Sequence, residues 1–464
     1  MTGTPVIAIF DMGKTNKKLF LFDRQYKIVY EKSAKFTETV DEDGDACEDL
    51  ESLRQSVFDS LREVLQMKEF SIRAINFSTY GASFVYIDRQ GNPLTALYNY
   101  LKQYPEQLSK QFYETYGGEQ AFAYTTASPV LGSLNSGMQL YRIKYERPEL
   151  FQKIEYALHL PQYLSYLVTG IPCADITSIG CHTNLWNFKE NRYHEWVSRE
   201  GIFDKLAPIY PGNAVLHTTP KTIGFEGHEY AAGIGLHDSS AALIPYLINF
   251  HEPFILISTG TWCISLNPFN QTPLTNEELQ NDCLCYMTYE GKPVKASRLF
   301  AGNEHEQQAK RIAEQFNQNV NHYRDINFDA AIIAMLQKEA TPENYQLNLT
   351  ASAFTQRDLS TFKTGIEAYH QLMLDIIAQQ VFSTQLVLQE TGVKRIFVDG
   401  GFSKNAIYMN LLALFFPQIE IFAASMAQAT AVGTALSIHH EWNKRPLPND
   451  IIELKYYATT HQIL

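Results

Sequence analysis

Val6-Ile7-Ala8-Ile9-Phe10-Asp11-Met12-Gly13-Lys14-Thr15-Asn16 is an apolar run that breaks into a turn of small and polar residues, and a second apolar run follows at 19–22. The chain repeats this shape at Phe254-Ile255-Leu256-Ile257-Ser258-Thr259-Gly260-Thr261-Trp262, with 263–266 as the return. A strand, a tight Gly/Thr loop and a return strand present backbone N–H groups and hydroxyls to an anion, most often a phosphate. One such loop is a weak signal. Two, each opening one half of a 464-residue chain, point to two related lobes facing one nucleotide.

Around the first loop, residues 18–22 and 27–31 read as further strands. Residues 50–67 read as a helix whose Leu53, Val57, Leu61 and Leu65 recur every four positions. Residues 73–78 form a buried strand ending in Thr79-Tyr80-Gly81. Phe84–Ile87 reads as its hairpin partner, with a turn at 88–92. Residues 101–210 look mostly helical. Around the second loop, 254–258 and 263–266 form a hairpin that 286–289 continues. A long amphipathic helix at 365–391 follows, then a strand at 394–398 ending in Asp399-Gly400-Gly401. A strand at 418–422 and a small-residue helix at 427–439 come last. The plan runs twice, so the chain reads as an internal duplication with a boundary between 245 and 253, giving lobes of 1–246 and 247–464.

A chain of this length with 45% hydrophobic residues suits two domains of about 200 residues each. The 38 Lys and Arg against 50 Asp and Glu give a net charge of −12. That argues against nucleic acid as a partner, since phosphate-backbone binding needs a basic face. The densest acidic stretch, Asp41-Glu42-Asp43-Gly44-Asp45, reads as a solvated loop before a helix. Asp11 interrupts the only early apolar run, and no run of about 18 apolar residues exists, so neither a signal peptide nor a membrane span is expected. Cys47, Cys173, Cys181, Cys263, Cys283 and Cys285 are scattered and read as reduced core thiols of a cytoplasmic protein. The sequons at Asn76-Phe77-Ser78 and Asn348-Leu349-Thr350 carry no meaning in such a protein.

Asp238 stands in Gly233-Ile234-Gly235-Leu236-His237-Asp238-Ser239-Ser240. A carboxylate at the start of a helix is either an N-cap or, between two phosphate loops, a general base for a hydroxyl. A dinucleotide fingerprint is rejected, because its third glycine is missing and no clear strand precedes it. Asp11 is either an Asx-turn former or a carboxylate that supports Mg²⁺, which prefers one or two carboxylates plus phosphate oxygens. Lys14, Lys17 and Lys18 would supply local positive charge, and Thr15 and Asn16 hydrogen bonds, to the same phosphates. Gly400-Gly401 permits close approach of a flat ligand or merely a turn, and Ser403 and Asn405 would cap the next helix. No Walker A, HExxH or GxSxG sequence is present; His305-Glu306 reads instead as a helix start.

Together these segments resemble the FGGY family of carbohydrate kinases, two-lobed members of the actin/hexokinase/ribonuclease-H-like superfamily. The resemblance runs from Asp11 to about His440. It rests on 11–18, 235–242, 258–262, 399–405 and 429–435 in the family's order and spacing. It implies an α/β fold of two ribonuclease-H-like lobes with a central cleft, and ATP-dependent phosphorylation of a sugar hydroxyl there. Asp238 then matches the catalytic base, and Asp11 the Mg²⁺-supporting carboxylate, with Asp238 as the second. Gly13, Lys14, Thr15, Asn16 and Lys18 match the first phosphate loop, and Thr259, Gly260 and Thr261 the second. Gly400, Gly401 and Asn405 match the adenosine-side turn, with Gln307 near the nucleotide.

The family usually ends its first loop in Arg, where this chain has Lys18, and has Thr or Ala where this chain has Lys14. The Trp-x-Asp-x-Arg segment of xylulose and glycerol kinases is not visible after Tyr98-Asn99-Tyr100. His237-Asp238 resembles rhamnulose kinases, while 13–16 and Thr79-Tyr80-Gly81 resemble fuculose kinases. A deoxy-ketose is therefore the expected substrate, with Gly81 approaching the sugar and Tyr80, His237 and Asp238 contacting its hydroxyls. The expected partners are that sugar and ATP, with no nucleic acid and no membrane, and a homodimer is allowed. A nucleotide- or sugar-binding sensor on the same scaffold is the alternative, and an actin-like filament former a more distant one.

Overall fold

The structure, a computed structural model, describes residues 3–14, 16–34, 38–218, 230–339, 353–389, 391–426, 428–448 and 450–458. Thr15, the sequon at 348–350, and Glu390 and Ala427 in two predicted helix ranges lie outside the described residues. The chain divides into two compact units. One comprises Met1–Asn249, Cys285–Pro293 and Ala427–Ile451; the other comprises Phe250–Leu284, Val294–Met426 and Ile452–Leu464.

In the first unit the opening run becomes the strand Thr4–Met12. Val6 to Phe10 are all at most 1% exposed, as an apolar run covered on both faces requires. The strand pairs antiparallel with Lys17–Phe22, which pairs antiparallel with Ile28–Ala34. Its other edge pairs parallel with Phe70–Thr79, beyond which come Ala231–Gly233, parallel, and Val215–His217, antiparallel. The helix Leu50–Gln66 starts at Asp49, whose carboxylate accepts from the Glu51 N–H, and buries Leu53, Val57, Leu61 and Val64. Phe84–Ile87 is not the partner of Phe70–Thr79: it pairs antiparallel with Tyr156–His159 in a separate sheet. Phe70–Thr79 has no edge to offer it, being flanked by Thr4–Met12 on one side and Ala231–Gly233 on the other.

Residues 101–210 alternate helices with short strands rather than running mostly helical. Phe112 explains their aromatic content: its ring lies 4.9–5.1 Å from those of Tyr113, Tyr116, Phe122, Tyr141 and Trp196. The segment Ala427–Ile451 also packs in this unit. Asn76 Nδ2 donates to Thr434 O at 3.0 Å, and the Tyr26 hydroxyl meets His439 Nδ1 at 2.6 Å.

The acidic stretch is no freely solvated loop. The Lys102 ammonium, 7% exposed, stands 2.5, 2.8 and 3.1 Å from carboxylate oxygens of Asp41, Asp43 and Asp45. Arg147 pairs with Asp43 at 2.6 Å as well. Burial would raise the Asp41 carboxyl, but hydrogen bonds from Lys102 and from the Asp45 and Asp43 N–H groups outweigh it and hold it below the usual carboxylate range. Lys102→Met is therefore expected to cost about 3 kcal/mol at pH 7, because it leaves a buried carboxylate without its cation. A carboxyl lowered by folding contributes stability above its unfolded pKa, and that contribution fades as pH falls through the folded value. Melting curves of the two proteins should accordingly draw together below about pH 4; equal stability at pH 7 would refute the assignment.

The second unit repeats the strand order and directions of the first. Phe254–Thr259 pairs antiparallel with Cys263–Asn267, which pairs antiparallel with Pro293–Leu299. On its other side come Arg395–Gly400 and Glu420–Ser425, both parallel, and then Glu453–Tyr457, antiparallel. Six strands in one arrangement, twice, make the chain a two-domain α/β protein built on a duplicated plan. The helix Gly365–Leu388 is capped by Thr364, whose hydroxyl accepts from the Glu367 N–H. The strand expected at 286–289 lies at Cys283–Met287 instead, because Thr288 to Lys292 form a turn closed by the Thr288 N–H donating to Lys292 O at 2.8 Å. All six cysteines are buried. Among the described residues no helix is long and apolar enough to cross a membrane.

Candidate functional site

Three parallel strands of the first unit end at one edge. Asp11 pairs with Ser78 and Ser78 with Leu236; one step on, Met12 pairs with Thr79 and Thr79 with His237. The chain therefore leaves the sheet at Asp11, at Tyr80-Gly81 and at Asp238 side by side, at the carboxyl ends of parallel strands where α/β proteins hold ligands. Gly233 ends a strand, Ala231–Gly233, and Gly235 follows it; that strand is too short to stand out in the sequence.

Asp238 is the first residue of the helix Asp238–Asn249. Its side chain is 32% exposed, and Oδ1 accepts from the Ser239 N–H at 2.6 Å and the Ser239 hydroxyl at 3.2 Å. An N-cap reaches two or three residues along the chain, so a bond to the next residue is a weaker cap than the sequence suggested. Burial pushes the Asp238 carboxyl up to about 6. Asp11 accepts from the Ser78 hydroxyl at 3.1 Å rather than closing an Asx-turn. Burial and then the charge of Asp238 push it up to about 7, against the opposing pull of Ser78 and Lys18.

His237 is buried, and its Nε2 lies 3.2 Å from both Asp238 Oδ1 and Cys181 Sγ. Burial pushes the imidazole down to about 3, so it is neutral at pH 7. A neutral ring has one N–H. With Asp238 ionised the proton belongs on Nε2, leaving Nδ1 to accept from the Ser240 hydroxyl at 3.4 Å. The Tyr286 ring, brought in by Cys285–Pro293, packs 5.4 Å from it. Gly81 sits against this pair: a Cβ there would stand 2.8 Å from Cys181 Sγ and 3.2 Å from the imidazole.

The first loop is more engaged than its sequence implied. Lys14 Nζ lies 3.2 Å and Lys17 Nζ 3.0 Å from the two oxygens of buried Glu48, and the Tyr80 hydroxyl donates to the same carboxylate at 3.1 Å. The Lys14 ammonium also lies 5.4 Å from the Tyr80 ring centroid and 5.5 Å from that of Tyr100. Lys18 pairs with Glu31 at 2.7 Å. Gly13 is half-buried and Asn16 exposed. Ser78, Glu48, Tyr100, Cys181 and Tyr286 carry no local mark of a site role in the sequence. Glu48 arrives through a small hairpin of Glu38–Val40 with Ala46–Glu48, and Tyr286 through a segment remote in the chain.

In the second unit Phe254–Thr259 and Arg395–Gly400 run parallel and end together, Thr259 opposite Gly400. The Thr259 hydroxyl donates to Asp399 O at 2.5 Å and accepts from the Phe402 N–H at 3.0 Å. Gly400, at φ +90°, would place a Cβ 1.9 Å from Thr259 O, so only glycine fits this turn. Gly260, Thr261 and Gly401 are exposed beside it. The helix Ala301–Gln315 starts against the loop, where the Asn303 N–H donates to Thr261 O at 3.1 Å. Gln307 is exposed on that helix. Asn405 is committed inside the unit: Oδ1 caps the helix Ala406–Phe415, accepting from the Ile407 and Tyr408 N–H groups, and Nδ2 donates to the Tyr369 hydroxyl. Ser403 caps nothing; its hydroxyl donates to Gly400 O. The glycine N–H groups are spent inside the turns: Gly260 donates to Trp262 O at 2.8 Å, Gly400 to Asp399 Oδ1 at 2.7 Å and Gly401 to Thr259 O at 3.0 Å.

Residues 6–244 match the model of the N-terminal domain of the FGGY family of carbohydrate kinases, and residues 251–446 match the C-terminal domain of the same family. Solved structures share the fold. A carbohydrate kinase from Novosphingobium aromaticivorans superposes with a TM-score of 0.78 at 20% identity, over 98% of this chain and 94% of its own. A ligand-bound xylulose kinase from Lactobacillus acidophilus gives 0.78 at 17% identity over the same shares. A Plasmodium falciparum glycerol kinase solved with ADP gives 0.72 at 16% identity, over 95% of this chain and 90% of its own.

Proposed function

The chain belongs to the FGGY family of carbohydrate kinases, and from that premise we propose that it transfers the γ-phosphate of ATP to a hydroxyl of a ketose. The observation that carries the roles is the convergence of Asp11, Gly81 and Asp238 at one carboxyl edge of the first sheet. Asp238 is the general base. It takes the proton from the sugar hydroxyl as the oxygen–phosphorus bond forms, while the bond to the bridging oxygen breaks and its electron pair leaves with ADP. His237 is a positioning residue: its Nε2 stands against Asp238 Oδ1 at 3.2 Å, and burial keeps it from competing as a base. Gly81 lets its backbone pack against Cys181 and the His237 ring beside that pair, the approach assigned to the sugar.

By their match to the family's second loop and adenosine-side turn, Thr259, Gly260, Thr261, Gly400 and Gly401 are assigned to the nucleotide, with Gly13, Thr15 and Asn16 on the first loop; Gly260, Thr261 and Gly401 form the exposed part of that surface, and Thr259 shapes the turn beneath it. Asp11 and Asp238 are the carboxylates that would hold Mg²⁺. Two carboxylates close enough for one to raise the other fit an ion that takes few protein ligands, and no group of three His, Cys, Asp or Glu suited to a metal occurs among the described residues. When bound, the ion neutralises charge on the phosphates. The missing Trp-x-Asp-x-Arg segment and the Tyr80-Gly81 and His237-Asp238 pairs favour L-rhamnulose or L-fuculose as the acceptor. ADP release with these two, D-xylulose, glycerol and D-gluconate tests the reading: a deoxy-ketose should give the highest kcat/KM, and no sugar-dependent release would leave a sensor.

A further inference from the structure

We infer that Lys14, which the sequence assigned to the phosphates, instead reads the acceptor sugar: held from behind by buried Glu48, its ammonium donates to a sugar hydroxyl beside Tyr100. The inference rests on the kinase reading and concerns a residue at which this chain departs from its family.

Four observations carry it. The Lys14 ammonium is turned onto Glu48 and two tyrosine faces, with the Tyr80 and Tyr100 rings 5.8 Å apart beneath it. Lys17 holds the other Glu48 oxygen, is only 6% exposed and also donates to Lys14 O at 3.2 Å, so it anchors the pair. Lys14 is 29% exposed, and one of its three N–H groups faces Glu48, which leaves donors for a ligand. Tyr80 directly precedes Gly81, the residue against His237. Burial, and then the charges of Asp238 and Glu48, push the Tyr100 phenol up, so its hydroxyl is within reach of both carboxylates' fields.

A partly exposed ammonium can donate to a sugar hydroxyl while Glu48, buried and held by Lys17 and the Tyr80 hydroxyl, fixes it in place, and the half-buried Tyr100 ring covers the sugar's C–H groups.

The test uses the full chain with Lys14→Met and Lys14→Arg, the second keeping the charge but widening the head where two rings confine it. In Lys14→Met, KM for the best neutral ketose of the panel should rise at least about tenfold, the loss of one charged hydrogen bond, while KM for ATP and the affinity for ADP by titration stay within about twofold. Lys14→Arg should show the same split at smaller size and keeps the inference testable should Lys14→Met fold poorly. A rise in KM for ATP, or weaker ADP binding, returns Lys14 to the phosphates and overturns the inference. If the wild type releases no ADP with any sugar, the kinase reading fails separately. The inference is then decided by the rise in melting temperature that millimolar L-rhamnulose or L-fuculose gives: present in wild type and absent in Lys14→Met supports it, any other result overturns it.

Discussion

Asp238→Asn is expected to lower sugar-dependent ADP release by roughly 10²–10⁴-fold while leaving ADP affinity within about twofold. The amide keeps an oxygen that can accept from the Ser239 N–H and hydroxyl, so the helix start survives. What disappears is a carboxylate able to take a proton. If Asp238 were only a cap, the substitution would be nearly silent in turnover, and unchanged kcat would sink the base assignment. The same carboxyl sets a pH limb. Burial raises it to about 6, and Asp11, coupled to it, to about 7, so kcat/KM of the wild type should fall as pH drops through 7 to 6 and below.

Stability should move the opposite way. A carboxyl raised by folding binds its proton more tightly in the native state, so the native state loses stability as pH rises from the unfolded value through the folded one. Asp238→Asn removes that loss and lifts one cause of the raised Asp11 carboxyl. The variant should melt higher than wild type at pH 8 and equally at pH 3.5. A base that costs stability where it is ionised and turnover when removed is the signature of a functional carboxylate rather than a cap.

The opening strand and its counterpart were legible because a fully buried strand must be an unbroken apolar run, and because Gly and Thr mark the turn after it. The duplicated plan followed from the same two signals. Pairing partners were not legible. Phe84–Ile87 is a clear strand, yet its partner Tyr156–His159 lies some seventy residues on, and which edge is open depends on strands assembled from elsewhere. The site divided along the same line. Asp11, Gly81 and Asp238 end strands and carry local marks. Glu48 looks like one more acidic residue until the hairpin with Glu38–Val40 delivers it to two lysines. The helix at 429–437 was expected with the second lobe; its contacts lie in the first unit, and periodicity carries no information on that choice.

Gly433→Ala makes that contact measurable, because two effects of opposite sign compete at one position. Gly433 lies inside the helix Ala429–Ser437, where replacing glycine by alanine normally stabilises by about 1 kcal/mol. Here the added Cβ would stand 1.8 Å from Ala241 O, 2.7 Å from the Ala241 carbonyl carbon and 3.2 Å from Pro245 Cδ. No Cβ tolerates backbone at that distance, and a carbonyl in a helix cannot swing away as a flexible side chain can. Relief requires the two helices to part by more than an ångström, and overpacking of that kind costs about 1–3 kcal/mol, occasionally more. Steric cost therefore exceeds the propensity gain, and the variant should be less stable than wild type, with Gly433→Val worse. The helix that must yield is Asp238–Asn249, whose first residue is the proposed base. A displacement of about 1 Å at a reacting group lowers turnover by about 10²-fold, so the folded fraction of Gly433→Ala should lose kcat while its ADP affinity holds. Gain of stability would mean the helices do not meet there; loss of stability with full kcat would mean the strain is absorbed on the side of 429–437 and never reaches Asp238.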